Sequence, residues 1–324
     1  MQPGASATET APTARAPATQ AAGAALAAVL APAFLRKLDR LHLVLRRSLS
    51  TRPGNTPMPR GAQGSGIELE NYKAYGAGDD LRYLDWNAYG RLDQLLIKTF
   101  RAEREAPLHL FIDASASMAA PASDNKFAFA ASLALSLTYI SLRRNDPVRI
   151  VGLSAAWPQL YFSSPFFRHR DALPRLRDFL LVLRPQGATA LATGIAAALR
   201  DQRSPGVAII LSDFLIEPAA YEAALRELVA RRFTVAALRV IGPGERNPSS
   251  LFRRGRLMDV ETGRQRFITL TQNSLERYQE ALVAHLTQLQ AFCSRCEIGY
   301  STADTAAGIG QSLFHDLPAL GLLR

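Results

Sequence analysis

Five oxygen-bearing side chains stand out by type and spacing. Asp113, Ser115 and Ser117 share the run Asp113-Ala114-Ser115-Ala116-Ser117, Thr189 follows Gly187-Ala188, and Asp213 follows Leu211-Ser212. Two carboxylates and three hydroxyls, with no imidazole or thiolate among them, form a hard donor set that suits Mg²⁺ or Mn²⁺ better than zinc. In D-x-S-x-S, side chains two apart point the same way, so one cation can touch all three. So few charged ligands leave the ion with a positive excess and an open position for a carboxylate from a partner. Ser and Asp are also ordinary turn and cap residues, and D-x-S-x-S alone can do no more than cap a helix. The weight comes from the order: a strand before the motif, Thr189 at a helix start, and Asp213 at another strand end.

Elements of the right kind surround these positions. Leu108 to Ile112, Val148 to Leu153 and Val207 to Leu211 are short apolar runs, as expected of strands buried on both faces. Leu160 to Phe162 reads as an edge strand and Phe233 to Val240 as a further strand. Helices are expected over Phe127–Arg143, Asp171–Leu183, Leu191–Gln202 and Pro218–Arg231, the last with proline in its first turn. Leu257–Val260 and Arg266–Ile268 suggest a hairpin around Thr262-Gly263. A helix over Leu275–Cys293 then leads to a last strand at Glu297–Tyr300. This alternation predicts an α/β, Rossmann-like domain over 107–324, with a mostly parallel sheet and helices on both faces. Ligands of such sheets sit outside the carboxyl ends of the strands, where the three motifs fall.

Before it, residues 1–22 are Ala, Thr, Pro and Gln with almost no bulky side chain, which predicts a disordered tail. Residues 23–106 read as an N-terminal helix and an accessory segment. Leu35, Leu38, Leu41, Leu45 and Leu49 recur at helical spacing and predict an amphipathic helix over 26–49 packing on the main domain. A membrane-surface helix is the alternative there, given Arg36, Lys37, Arg46 and Arg47. Residues 50–66 are rich in Pro and Gly and read as a loop.

Composition narrows the function classes. With 48% hydrophobic residues the chain can bury an ordinary core. Its net charge of +10 admits an anionic partner, but the basic residues are scattered and no block of like charge occurs, so nucleic-acid binding stays an alternative rather than the expectation. An acidic protein face suits that charge as well. No apolar run reaches the ~20 residues a membrane span needs, and the expected location is the cytoplasm. Cys293 and Cys296, the only cysteines, fall near a helix C-terminus, the wrong end to lower a thiol pKa for redox work.

Nor do the residues announce an enzyme. No G-x-S-x-G, P-loop, H-E-x-x-H or G-x-G-x-x-G is present. His109 falls on a buried strand and reads as a core residue with its hydrogen bonds made. The enzymatic alternative is metal-assisted phosphoryl transfer or hydrolysis with Asp113 as nucleophile. Against it, haloacid-dehalogenase-like phosphatases carry a second Asp where Ser115 stands, and no Lys occupies an obvious strand end to balance a phosphate.

At Asp113, Ser115, Ser117, Thr189 and Asp213 the chain resembles von Willebrand factor A domains, whose metal ion-dependent adhesion site is D-x-S-x-S, then Thr, then Asp. It looks more specifically like the bacterial domain-of-unknown-function 58 family. That resemblance rests on Gly64-Ser65-Gly66-Ile67-Glu68, Tyr72-Lys73-Ala74-Tyr75, Gly78-Asp79-Asp80-Leu81-Arg82 and Asp85-Trp86-Asn87, then Lys98, Phe100 and Glu103-Arg104-Glu105. It is close over 60–214 and looser beyond. Leu69 departs from it, where the family usually has an aromatic residue. The resemblance implies Ser115, Ser117 and Thr189 as direct ligands of Mg²⁺ or Mn²⁺, with Asp113 and Asp213 partly acting through water. It also implies a protein partner, a MoxR-type AAA+ ATPase and its client, for which such proteins are thought to act as adaptors or co-chaperones. For the acidic residues Asp79, Asp80 and Asp85, pairing with Arg82, Arg91 or backbone amides is expected over a second cation site. Trp86 is expected to bury a large apolar area.

Overall fold

The computed structural model describes residues 17–44, 68–101 without 77, 78 and 80, and 107–324 without 201, 203, 204, 249–253, 262, 263 and 270. Those up to 44 and from 107 onward form one compact unit, and those of 68–101 another. The N-terminal helices belong with the large unit and not with the accessory segment.

The large unit opens with α1 (Pro17–Val29) and α2 (Pro32–Leu38). Helix α1 begins inside the segment expected to be disordered, a correction to that reading for 17–22, while 1–16 lie outside the described residues. The single helix expected over 26–49 is also corrected. Pro32 has no N–H to continue α1, so the chain bends there and restarts, and α2 ends at Leu38. Leu41 and Leu43 are still buried, but in an irregular stretch that pairs with the C-terminus through His42 and Arg324. Leu45 and Leu49, and the loop expected over 50–66, lie outside the described residues. Among the described residues no single helix is long and apolar enough to cross a membrane; α1 and α2 pass on composition only when taken together across a 63° bend. Their apolar side chains Ala22, Leu26, Val29 and Leu38 are buried in the core.

The small unit pairs β1 (Glu68–Ala74) with β2 (Leu96–Arg101) in antiparallel register. Between them α3 (Trp86–Leu92) starts at Asp85, whose carboxylate accepts from the N–H groups of Asn87 and Ala88 and from the Tyr72 hydroxyl. Asp79 accepts from the Gly76 N–H and the Lys73 ammonium. The two carboxylates thus serve as a helix cap and a turn anchor, with Lys73 as a cationic partner the sequence did not suggest. Asp80 lies outside the described residues. Trp86 corrects its expectation: it is 66% exposed, in edge contact with Tyr89.

The large unit continues with β3 (Leu108–Asp113), α4 (Lys126–Arg143), β4 (Val148–Leu153), β5 (Tyr161–Ser163), α5 (Leu173–Val182) and α6 (Leu191–Ala198). Then come β6 (Val207–Ser212), α7 (Pro218–Ala230), β7 (Thr234–Ile241), a short α8 (Pro243–Arg246), the hairpin β8 (Arg254–Met258) and β9 (Gln265–Thr269), α9 (Gln272–Arg295) and β10 (Gly299–Asp304). Six strands form one sheet in the order β10-β7-β6-β3-β4-β5, parallel except for the edge strand β5. Strand alternation sorts β3 between two cores. Leu108, Leu110 and Ile112 pack with α1, α4 and α5 on one face, and Phe111 packs with α6, α7 and α9 on the other. Helix α4 is buried almost all round because α1 covers its outer side.

Adjacent strands β3 and β6 send their chains to opposite faces: β3 leads through α4 to β4, and β6 leads through α7 to β7. A crevice opens outside the carboxyl ends of two strands whose connections diverge in this way. Asp113 ends β3 and Asp213 directly follows β6.

Candidate functional site

The register between the two central strands places Ile112 against Leu211, so Asp113 and Ser212 come level at the sheet edge. Asp113 Oδ1 accepts the Ser115 N–H at 2.9 Å, and Asp113 Oδ2 accepts the Ser212 hydroxyl at 2.7 Å and the Thr189 hydroxyl at 3.1 Å. The Ser115 and Ser117 hydroxyls lie 2.9 Å apart. Thr189 reaches Asp113 because its loop is laced to the β3 turn. The Ala116 N–H donates to the Gly187 carbonyl, the Gln186 N–H to Ala114, and the Ala155 N–H to Ala188. Gly187 sits at φ 67°, a left-handed conformation glycine adopts without strain, and a Cβ there would lie 2.8 Å from the Ala156 side chain.

Asp213 is held from two sides. Its Oδ1 accepts the Leu215 N–H, and its Oδ2 accepts the Lys126 ammonium at 2.8 Å. Phe214, fully buried, carries a φ of 54° at this turn, and its carbonyl lies 2.8 Å from His285 Nε2 on α9. A non-glycine residue in that conformation costs about 1–2 kcal/mol, and such strain is typical of sites where the backbone must hold an unusual course. Lys126 opens α4 and also pairs with Glu245 at 3.1 Å, which in turn accepts from Arg239 at 2.7 Å. All four side chains are buried.

The electrostatics follow from this geometry. Burial pushes the Asp113 carboxyl above its ordinary range, and the nearby Asp213 carboxylate adds to the push, while Ser212 and Ser115 oppose it. Burial pulls the Lys126 ammonium down, but Asp213 and Glu245 outweigh it and the net shift is upward. Glu245 is raised by burial in spite of Lys126 and Arg239. Asp113 therefore faces hydroxyls, an amide and another carboxylate, whereas the lysine beside the site is already paired with Asp213 and Glu245.

The structure thus brings Asp113, Ser115, Ser117 and Thr189 into one cluster, with Asp213 one strand over and engaged by Lys126. Hydroxyls supply most of the donors; among the described residues no three His, Cys, Asp or Glu side chains gather as a metal-holding group by themselves. The oxygen set is of the kind Mg²⁺ and Mn²⁺ prefer. Three participants escaped the sequence reading. Ser212 was readable, since it sits at the same strand end as Asp213. Lys126 was readable too, as the one charge opening a helix otherwise free of charge up to Leu142. Glu245 carries no local signal, because only the tertiary fold delivers it. Lys126 stands at the start of a helix and not at a strand end, and at 2% exposure it has no free face to offer a substrate.

His109 is a core residue as expected, yet both its ring nitrogens lack a hydrogen-bond partner, so its bonds are not made. Cys293 is buried on α9 with its thiol pushed up to about 12 by burial and by Cys296, the opposite of an activated thiol.

Comparison with known proteins adds the following. The family described as "Protein of unknown function DUF58" matches residues 71–288. An uncharacterized protein of Mycobacterium tuberculosis, Rv1480, is 28% identical over 185 residues, which are 56% of each chain, and one of Mycobacterium bovis, Mb1516, matches to the same extent. The match thus spans little more than half the length of these relatives. Among solved structures, BatB from Bacteroides thetaiotaomicron is 13% identical with a TM-score of 0.38, covering 67% of this chain and 98% of that one. The pilus adhesin SpaC from Lactobacillus rhamnosus GG is 14% identical with a TM-score of 0.44, covering 69% of this chain and 32% of that one.

Proposed function

The chain belongs to the DUF58 family, and from that premise we propose that its strand-end cluster is a divalent-metal centre of the von Willebrand factor A kind, used to bind an acidic site on a partner protein. The observation that carries this reading is the convergence on Asp113 of the Ser115 N–H and the Ser212 and Thr189 hydroxyls, with the paired Ser115 and Ser117 hydroxyls beside it. Ser115, Ser117 and Thr189 would hold Mg²⁺ or Mn²⁺, and Asp113 would orient the hydroxyls and bound water. When bound, the ion supplies a positive centre able to accept a carboxylate. Lys126 holds the Asp213 carboxylate in place, so the metal's charge stays available to a carboxylate from outside. By resemblance the partner is a MoxR-type AAA+ ATPase, with the chain as an adaptor toward a client, and the function is binding and not catalysis.

Hydrolysis through Asp113 draws less support. The position two residues on is Ser115, not an acid, and the Asp113 carboxylate is tied up by three donors. A surface for nucleic acid finds support only in the scattered charge.

The test is a thermal titration with Mg²⁺ or Mn²⁺. An ion that binds only the folded chain adds about 1.4 kcal/mol at ten times its Kd, a rise of a few degrees in a chain of this size. Ser115→Ala with Thr189→Ala removes two proposed ligands and leaves the Lys126–Asp213 pair alone. A double variant that responds to metal as the wild type does would remove these residues from any metal site.

A further inference from the structure

Along the sequence the basic residues are scattered, but the fold gathers many of them at one edge. Strands β3, β4, β6, β7 and β10 run parallel, so the helices that lead into β4, β6, β7 and β10 end beside the strands' amino ends. There α4 closes on Arg143 and Arg144, Arg200 follows α6, Arg231 and Arg232 follow α7, and α9 ends at Arg295. Edge strand β5 runs the other way, which brings Arg170, between β5 and α5, to the same edge. Side chains tie these ends together. Arg149, on β4, donates to the Ala198 carbonyl at 3.0 Å, and Arg231 to the Leu199 carbonyl at 2.6 Å. Arg143 donates to the carbonyl of Asp39, whose carboxylate lies 4.0 Å from Arg170, so Arg40 and the end of α2 join the edge as well.

Part of this charge serves the helices, since a cation near a helix C-terminus meets the negative end of the dipole. Arg143 and Arg231 do so, bonded to carbonyls and half-buried. Arg40, Arg144, Arg170, Arg200, Arg232 and Arg295 are exposed. Of the acids at this edge, Asp39 and Glu227 are paired with Arg143 and Arg231. Asp146, Asp171 and Glu297 also stand there, too few to cancel the arginines. The opposite edge holds the carboxylates of Asp113, Asp213 and Glu245. Helix α4 connects the two edges, its 18 residues carrying the chain ~27 Å from Lys126 beside Asp213 to Arg143.

The basic edge is broad and is not a channel. Six strands side by side span about 24 Å, and the arginines come from α2 and α4 on one face of the sheet and from α6, α7 and α9 on the other. A nucleic-acid strand calls for a groove that tracks one backbone, whereas a two-dimensional spread of cations matches the headgroups of anionic lipid. Phe166, 37% exposed, lies in the same connection as Arg170, where an aromatic ring can enter the headgroup boundary. We infer that the amino edge of the sheet is a docking face for a membrane surface rich in anionic phospholipid, which holds the molecule with its strand-end cluster turned away from the lipid. Docking needs no metal, so it stands or falls apart from that cluster.

The test is sedimentation of the full chain, in EDTA, with vesicles of phosphatidylglycerol and phosphatidylcholine in equal parts or of phosphatidylcholine alone. Two triple variants lose the same charge at exposed positions of opposite edges. Arg144→Gln, Arg200→Gln and Arg232→Gln alter the amino edge, and Arg184→Gln, Arg246→Gln and Arg277→Gln the carboxyl edge. The wild type is expected to pellet with the mixed vesicles and not with phosphatidylcholine. A cation near such a surface is worth roughly fivefold in affinity, so the amino-edge variant should bind about a hundredfold more weakly. The carboxyl-edge variant should match the wild type, and unchanged melting curves for both would show that neither loses its fold. Equal losses in the two variants would overturn the inference and assign the attraction to net charge, as would failure of the wild type to bind phosphatidylglycerol. Displacement from the vesicles by duplex DNA at equal phosphate concentration would overturn it in favour of nucleic acid.

Discussion

An imidazole without hydrogen bonds, packed among phenyl rings, makes stability depend on pH. His109 is fully buried on β3, with ring centroids of Phe233 and Phe166 at 5.0 and 5.2 Å. Burial pulls its pKa down to about 3, and the Arg149 guanidinium acts in the same direction. The folded chain therefore resists protonation at His109 where the unfolded chain, near the ordinary 6.5, accepts it. The contribution of neutral His109 is complete above about pH 6.5 and is lost as pH falls from there toward 3. One proton's difference amounts to about 1.4 kcal/mol per pH unit. His109→Leu removes this proton without leaving an unpaired ring nitrogen, so urea unfolding at pH 7 and pH 5 should show the variant gaining about 2 kcal/mol on the wild type between the two. Parallel losses in both proteins would show that His109 takes up no proton on unfolding. The sequence could tell that His109 is inside, since Leu108 to Ile112 is otherwise apolar; it could not tell that three Phe side chains, and no acceptor, surround the ring.

At the scale of elements, the Thr189 loop is where the site is most exposed to a single backbone change. Gly187 at φ 67° passes its carbonyl to Ala116 and lies against Ala156. Gly187→Ala imposes about 1–2 kcal/mol of left-handed strain together with a contact at 2.8 Å to the Ala156 side chain. A lower melting temperature is expected together with weaker Mn²⁺ binding, since the loop that shifts carries Thr189. Loss of stability at unchanged metal affinity would mean that the loop does not position a ligand. Elements were legible in proportion to their burial. The strands of the central sheet and α4 are short apolar runs bounded by turn residues, and their expected limits differ from the observed ones by at most one residue, except for the last strand, expected at 297–300 and found at Gly299–Asp304. Near the N-terminus the same periodicity misled, because Leu41 and Leu43 are buried by pairing with the C-terminal strand-like end around Leu323 and not by a helix. Helical spacing alone cannot distinguish the two. The turns after Gly308, including a π-helical one at Ser312–Asp316, left no periodic signal.

For the whole molecule, the net charge of +10 and the strand-end cluster make different demands on a partner. Five of the cluster's residues were legible because each sits at the end of an apolar run or the start of a helix, where α/β sheets carry their ligands. Lys126 and Glu245 arrive from two other segments, 13 and 132 positions beyond Asp113 at numbers 126 and 245, and no spacing rule connects them. Diffuse charge and a metal-bridged carboxylate can be told apart in solution. Attraction through scattered Lys and Arg fades with salt, since exposed charges are screened beyond a Debye length of about 8 Å near 0.15 M, and contacts to nucleic-acid phosphates lose affinity linearly in log salt. A carboxylate held on a buried-edge metal is shielded from that screening but depends wholly on the ion. Capture of a MoxR-type AAA+ ATPase by the full chain should therefore persist at moderate salt with Mg²⁺, and disappear in EDTA or with Thr189→Ala. Capture that is indifferent to EDTA yet falls steeply with salt would assign the partner to the basic surface and leave the strand-end cluster without a part in binding it.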